Sequence, residues 1–204
     1  MSLQLEKSQT FGNLMRAFAG ECMSQTRYLL AADEAQKQEY AAIARVFRFT
    51  AKQEKQHAKI FYGFLSNFPG TNIDISGGFP ADQTSDIQKL LELAAKGESS
   101  EAGTVYPDFA RIARDEGFTD IADKFAMIGE IENSHRKRFE YYAGLLRSGM
   151  LLRSESTEER WICLNCGHIH TGSEPPQICP VCGVDHGWSV REREADMTFT
   201  DMLQ

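Results

Sequence analysis

The sequence is poor in several things, and each shortage excludes something. No apolar run approaches the roughly 20 residues that a membrane-spanning helix needs, so no membrane partner is expected. Positive charge is scarce: 22 Lys and Arg against 29 Asp and Glu leave a net charge of −7. That is the wrong sign for sequence-independent nucleic-acid binding. Met1 to Thr10 is polar and lacks an apolar signal core, so no export is expected and the cytoplasm is the expected location. Of six prolines, only Pro69, Pro80 and Pro107 fall in the first 150 residues, which leaves room for long helices. Histidine is rarer still there, with only His57 and His135. Outside two CxxC pairs the single cysteine is Cys22, read as a small buried hydrophobe.

What is present divides the chain in two. Over residues 1–150 apolar side chains recur at spacings of three and four. This predicts four long helices, roughly 8–37, 39–66, 84–116 and 118–148. The short breaks make two antiparallel hairpins, and the stretch from Phe68 to Gln83, with Pro69, Gly70, Gly77, Gly78 and Pro80, is a long crossover between them. Over 151–204, glycine and proline crowd around cysteine, and Trp161, Trp188 and Phe199 are candidates for a small core. A unit of this size is marginal without a staple such as a bound metal.

The apolar stripes of the predicted helices are interrupted by ionisable groups. The second reads Ile43, Phe47, Thr50, Glu54, His57, Phe61, Phe64, and the fourth Ile121, Phe125, Ile128, Glu132, His135, Phe139, Tyr142. The first gives Phe11, Leu14, Phe18, Glu21, Gln25, Tyr28, and the third Ile87, Leu91, Ala94, Glu98, Glu101, Val105. Steps of three and four keep each set on one helix face. Five carboxylates and two imidazoles would converge in one core, at a cost of several kcal/mol for each unpaired charge, unless cations compensate them. Glu21 precedes Glu54 by 33 residues and Glu98 precedes Glu132 by 34, so each hairpin repeats a half-site of Glu followed by Glu-x-x-His. A di-metal carboxylate bundle needs this inventory. Oxygen and imidazole donors suit iron or manganese better than zinc, and the pattern does not separate those two. Glu101 breaks the repeat, since Ser24 stands at the matching position. It is the expected redox-dependent ligand, balancing charge gained on oxidation.

In the C-terminal stretch, Cys163, Cys166, Cys179 and Cys182 form two CxxCG knuckles with twelve residues between the pairs. Four thiolates predict tetrahedral zinc or a mononuclear iron. His168, His170 and His186 are then exposed or outlying. Residues 151–204 carry four Arg, no Lys and nine Asp or Glu, which disfavours a nucleic-acid-gripping zinc ribbon.

Glu21, Glu54-x-x-His57, Glu98-x-x-Glu101 and Glu132-x-x-His135, followed by a short-gap CxxC…CxxC, resemble rubrerythrin in residue type and order over nearly the whole chain. The resemblance implies an all-α, ferritin-like four-helix bundle over 1–150 with a non-haem di-iron site. It also implies a rubredoxin-like β/loop domain over 151–204 with one Fe(Cys)₄ site. It implies a peroxidase that reduces hydrogen peroxide to water. Electrons would come from NAD(P)H through a reductase or rubredoxin and the rubredoxin-like iron, and the protein would be a homodimer or higher homo-oligomer. Glu54 and Glu132 would bridge the irons, Glu21 and Glu98 would be terminal ligands, and His135 would hold one iron. The other iron would exchange His57 for Glu101. Tyr28 and Tyr106 match tyrosines that line the family's site. Alternatives are a ferroxidase or iron-storage ferritin-like protein, and a peroxide sensor with a zinc-filled C-terminal module.

Overall fold

The computed structural model describes residues 4–195, so the expected core residue Phe199 lies outside the described residues. Five helices build the first part: α1 (Gln9–Lys37), α2 (Ala41–Gly63), α3 (Ile87–Ser100), α4 (Tyr106–Asp115) and α5 (Thr119–Arg147). Helix α1 lies along α2, α3 and α4 lie along α5, and the two hairpins meet across the centre. The fold is the expected ferritin-like bundle.

Local chemistry sets the helix ends. Ser8 caps α1 by accepting from the Phe11 N–H, and Asp86 caps α3 by accepting from Lys89 N–H at 3.0 Å. Glu116, in the turn between α4 and α5, accepts from the N–H groups of Gln9 and Thr10 and from the Thr10 hydroxyl. A carboxylate from one hairpin thereby meets the positive end of a helix in the other.

The third helix is not the single continuous helix that the sequence pattern predicts over 84–116. Glu101–Val105 is a π turn joining α3 to α4, with the Tyr106 N–H bonded to the Glu101 carbonyl. Pro107 has no N–H to offer Gly103, and its ring would strike that carbonyl in a regular helix. Widening by one residue relieves both problems without ending the helix. The first stripe also differs in detail: it passes from Glu21 through buried Ser24 to Tyr28, leaving Gln25 only half-buried.

Apolar packing forms two clusters rather than one. Tyr28, Phe47, Leu91, Phe139 and Tyr142 lie in the first. Phe11, Leu14, Phe61, Tyr106, Phe125 and Ile128 lie in the second. The ionisable residues belong to neither.

Residues 160–191 hold a three-stranded antiparallel sheet in the order β2-β1-β3, made of β1 (Arg160–Cys163), β2 (Ile169–Thr171) and β3 (Ser189–Arg191). Trp161 is buried beneath Arg191, whereas Trp188 is only half-buried. Leu151, Val190 and Ala195 join the first cluster, so this sheet rests on the end of the bundle. Gly187 touches the turn between α1 and α2, where a Cβ would lie 1.9 Å from the Glu39 carbonyl oxygen. Among the described residues no helix is long and apolar enough to cross a membrane.

Candidate metal centres

Glu21, Glu54, His57 and Glu132 each place one donor atom within 4.8 Å of the others, and so do Glu54, Glu98, Glu132 and His135. Glu54 and Glu132 belong to both groups. All six residues are buried. The Nδ1 atom of His57 lies 2.9 Å from Glu132 Oε1 and 3.6 Å from Glu21 Oε2. That of His135 lies 2.7 Å from Glu132 Oε2 and 2.9 Å from Glu54 Oε1. These are short contacts, yet none has hydrogen-bond geometry. Both Nδ1 atoms, both oxygens of Glu54 and of Glu132, Glu21 Oε2 and Glu98 Oε2 are buried without a hydrogen-bond partner. Orphans of this kind are costly singly, and eight aimed into one layer fit a pair of cations. The separations suit donors sharing an ion at about 2.0–2.2 Å.

The electrostatics agree. Burial pushes the Glu21 carboxyl well up, with the charge of Glu54 adding to it. Burial and the charge of Glu54 push Glu98 up to about 8. Glu54 goes the other way: burial would raise it, but the imidazoles of His135 and His57 prevail and hold it low. Burial alone would lower His57, yet Glu132, Glu21 and Glu54 keep it well above the ordinary histidine range. The layer holds more negative than positive charge, and metal binding displaces its protons.

Two tyrosines strap the hairpins together. Tyr28 on α1 donates to Glu98 Oε1 on α3 at 2.5 Å, and the Tyr106 hydroxyl donates to Glu21 Oε1. Tyr28 follows Glu21 by seven positions and Tyr106 follows Glu98 by eight, the extra residue lying in the π turn.

Glu101 stands apart from both donor groups. It is half-buried, in the wall of a cavity of about 910 Å³ between α1, the π turn and the crossover, together with Tyr106, Cys22 and Arg27. Burial and the charge of Glu98 push its carboxyl up. Arg16 Nε donates to Ser76 O and Arg27 pairs with Asp82 at 2.6 Å, tying the crossover over this cavity. Cys22 is therefore a half-buried wall residue rather than a core hydrophobe.

The repeat pattern also misses two residues. Gln53 Oε1 lies 3.0 Å from His135 Nε2 and accepts from Arg138 Nη1 at 3.2 Å. Neither is on the seam. The signal available was their position: one residue before the glutamate of the first Glu-x-x-His motif, and three after the histidine of the second.

The four sulfurs of Cys163, Cys166, Cys179 and Cys182 also lie within 4.8 Å of one another. The Cys163–Cys182 and Cys166–Cys179 separations are both 3.7 Å. A disulfide would need about 2.05 Å. A tetrahedron with metal–sulfur bonds of about 2.3 Å has an edge of about 3.8 Å. Gly167 and Gly183, at φ 78° and 77°, make the two knuckle turns, and their N–H groups return to the carbonyls of Cys163 and Cys179. Bonds from the Asn165 side chain and the Val184 N–H bring Cys182 down to about 6, toward thiolate. His168, His170 and His186 are half-exposed and outside the sulfur group.

The family model described as rubrerythrin matches residues 12–143, and the one described as the rubrerythrin rubredoxin-like domain matches residues 161–187. The chain belongs to the rubrerythrin family. It is 40% identical over 179 residues to rubrerythrin from Nitratidesulfovibrio vulgaris and 38% identical over 179 residues to rubrerythrin from Clostridium perfringens; each match covers 87% of this chain and 91% of the relative. A solved structure of nigerythrin in its fully reduced, all-ferrous state aligns over 91% of this chain and 90% of that chain, at 27% identity and a TM-score of 0.60. Within the rubrerythrin family the cofactors are a di-iron site and a rubredoxin-like iron site, and the two clusters above are where the chain provides for them. The family's class is that of a di-iron oxidoreductase of oxidative-stress defence.

Proposed function

We propose that this protein is a peroxidase that reduces hydrogen peroxide to water. The observation that carries the reading is the pairing, in one chain, of a carboxylate-and-imidazole layer, beside a cavity whose wall holds Glu101 and Tyr106, with a closed four-sulfur cluster. When bound, the iron pair supplies the two electrons that break one O–O bond, and the sulfur-bound iron passes replacements one at a time. Four sulfurs leave no open position for a substrate, so the cluster relays and the layer reacts.

The chain's own residues divide the work. Glu54 and Glu132, being common to both donor groups, would be shared by the two ions. Glu21 and Glu98 are terminal ligands, each held by a tyrosine hydroxyl from the opposite hairpin, Tyr106 and Tyr28. Those two bonds fix one oxygen of each carboxylate and leave the other to its metal. His57 and His135 complete the two halves. Glu101, in the cavity wall together with Tyr106, would be the carboxylate that takes the place of His57 in an oxidised site. Hydrogen peroxide enters by the cavity. NAD(P)H-linked redox proteins or a rubredoxin supply electrons at the cysteine cluster, and the working form is a cytoplasmic homo-oligomer.

Protein purified without oxygen tests this directly. It should hold three irons per chain, two in the bundle and one on the cysteines, show the visible band of iron–thiolate charge transfer, and consume peroxide with NAD(P)H when a reductase is supplied. Hundreds of irons per particle would establish storage instead. A colourless zinc-filled cysteine cluster with no coupled turnover would establish a sensor.

A further inference from the structure

The two half-sites are related by the offset of 78 residues that carries Glu54 to Glu132 and His57 to His135. The surroundings of the two histidines are not related in that way. His135 Nε2 faces Gln53 Oε1 at 3.0 Å. The same oxygen takes a hydrogen bond from Arg138 Nη1 at 3.2 Å, and Arg138 Nη1 also donates to Thr50 Oγ1 at 3.1 Å. Thr50 has committed its own proton to the Val46 carbonyl, so toward Arg138 it acts as an acceptor. The guanidinium sits 4.7 Å above the Phe49 ring, which fixes it further. An arginine only donates, so the group that faces it must be the amide oxygen of Gln53. That oxygen only accepts, so the proton of His135 is on Nε2 and the lone pair is on Nδ1, toward the carboxylate layer.

The same offset maps Gln53 onto Ile131 and Arg138 onto Ile60. Each is an isoleucine, each is 38% exposed, and neither has a hydrogen-bonding group in its side chain. No protein group among the described residues is bonded to Nε2 of His57. The half that carries the loosely held histidine is, in the reading above, the half that the spare carboxylate Glu101 serves, while Ser24 stands at the position equivalent to Glu101.

We propose that Gln53 and Arg138 are positioning residues. They lock the tautomer and orientation of His135 and so make it the fixed imidazole. Ile131 and Ile60, by withholding the same lock from His57, make it the one imidazole free to leave. The asymmetry of the centre is thus written outside its ligands as well as in the pairing of Glu101 with Ser24. The inference rests on the di-metal reading of the bundle and deepens it.

Three variants test it. In Zn(II)-loaded protein with ¹⁵N-labelled histidine, His135 should show a protonated, slowly exchanging Nε2, and His57 a faster one. Gln53→Leu should speed exchange at His135 at least tenfold and weaken Zn(II) and Co(II) binding to that half by about 10–100-fold, the usual effect of losing an outer partner of a metal-bound histidine. Gln53→Glu keeps an acceptor and should restore slow exchange. Gln53→Leu with exchange and affinity as in the native protein would overturn the proposal, as would Gln53→Glu with no restoration. Should Gln53→Leu not fold, the double variant Ile60→Arg/Ile131→Gln, made at exposed positions, decides alone. Crystals of its oxidised iron form should retain His57 on its metal, and departure of His57 as in the native protein would overturn the proposal. The exchange and affinity measurements use no peroxide. A native protein that shows the histidine contrast but no peroxide turnover therefore refutes the peroxidase reading and leaves this inference standing.

Discussion

The carboxylate layer and the cysteine cluster hold metal in opposite ways. Each cysteine pair is framed by its own knuckle, with a glycine at positive φ and backbone N–H groups within a few residues, and the two knuckles face each other with Cys163–Cys182 and Cys166–Cys179 both at 3.7 Å. The layer has no local frame. Its donors come from α1, α2, α3 and α5, their histidine–carboxylate contacts range from 2.7 to 3.7 Å, and a fifth carboxylate waits in a cavity wall. The difference matches the two tasks proposed for them. A relay that gains and loses one electron works best when its ligands do not move. In the proposed reading the layer is the part that reacts, and a spare carboxylate in the cavity wall, with a histidine that lacks the Gln53–Arg138 lock, would let its ligands change.

The comparison breaks most decisively at a shared ligand. Glu54→Ala removes a carboxylate common to both donor groups, so each ion would lose a ligand and part of its compensating charge. Bundle iron should fall to a small fraction of native while the iron–thiolate band stays, measured by metal analysis and visible absorption. Unchanged bundle iron would rule out a bridge.

Cys179→Ser attacks the other region. It should abolish the iron–thiolate band and NAD(P)H-coupled turnover, while a single oxidation of the pre-reduced bundle by peroxide survives in a stopped-flow trace. Loss of that single turnover too would end the division of labour.

A smaller effect separates ligand sets within the layer. Glu101→Ala keeps all six residues of the two donor groups and should still bind two ferrous ions. Its oxidation by peroxide should slow roughly tenfold, corresponding to about 1.4 kcal/mol on the barrier. An unchanged rate would remove Glu101 from the reaction.

The joint between the regions is probed by Gly187→Ala, whose Cβ would meet the Glu39 carbonyl. Backbone must shift, at a cost of about 1–3 kcal/mol. Thermal unfolding should drop while both metal contents hold.

The least effect belongs to the bundle's end. Hydrogen bonds from Thr10 and the Gln9 N–H outweigh the burial of Glu116 and hold its carboxyl below the ordinary value. A depressed carboxyl stabilises the fold above its unfolded pKa, and that stabilisation is lost as pH falls through the folded value. Glu116→Gln should cost about 0.5 kcal/mol at neutral pH, a figure discounted for its partial exposure. The difference from the native protein should stay level down to about pH 4.5 and narrow below it in denaturant titrations.

Much of this was legible because the layer violates a rule. Carboxylates and histidines at helical spacing inside apolar stripes have no comfortable place in a metal-free core, so Glu21, Glu54, His57, Glu98, Glu132 and His135 declared themselves, and the 33- and 34-residue spacings paired them. The cysteine knuckles were more legible still, since their geometry is local. Gln25 was misplaced in the first stripe because a step of three and a step of four from Glu21 are equally good helical neighbours, and only packing against the other hairpin selects Ser24. The π turn was hidden because Pro107 signals a disturbance without saying whether the helix ends, bends or widens.

By itself, then, the sequence determined the donor sets, the order of the two units and most of the helices, because residue type and period act over short stretches of chain. The tertiary structure alone decided which oxygen belongs to which half, that Tyr28 and Tyr106 cross from one hairpin to the other, that Glu101 stands in a cavity wall while His57 takes its place in the donor group, and that His135 is anchored where His57 is not. Those facts depend on distances between residues 70 to 85 positions apart in the chain, and only the packing of one hairpin against the other sets them.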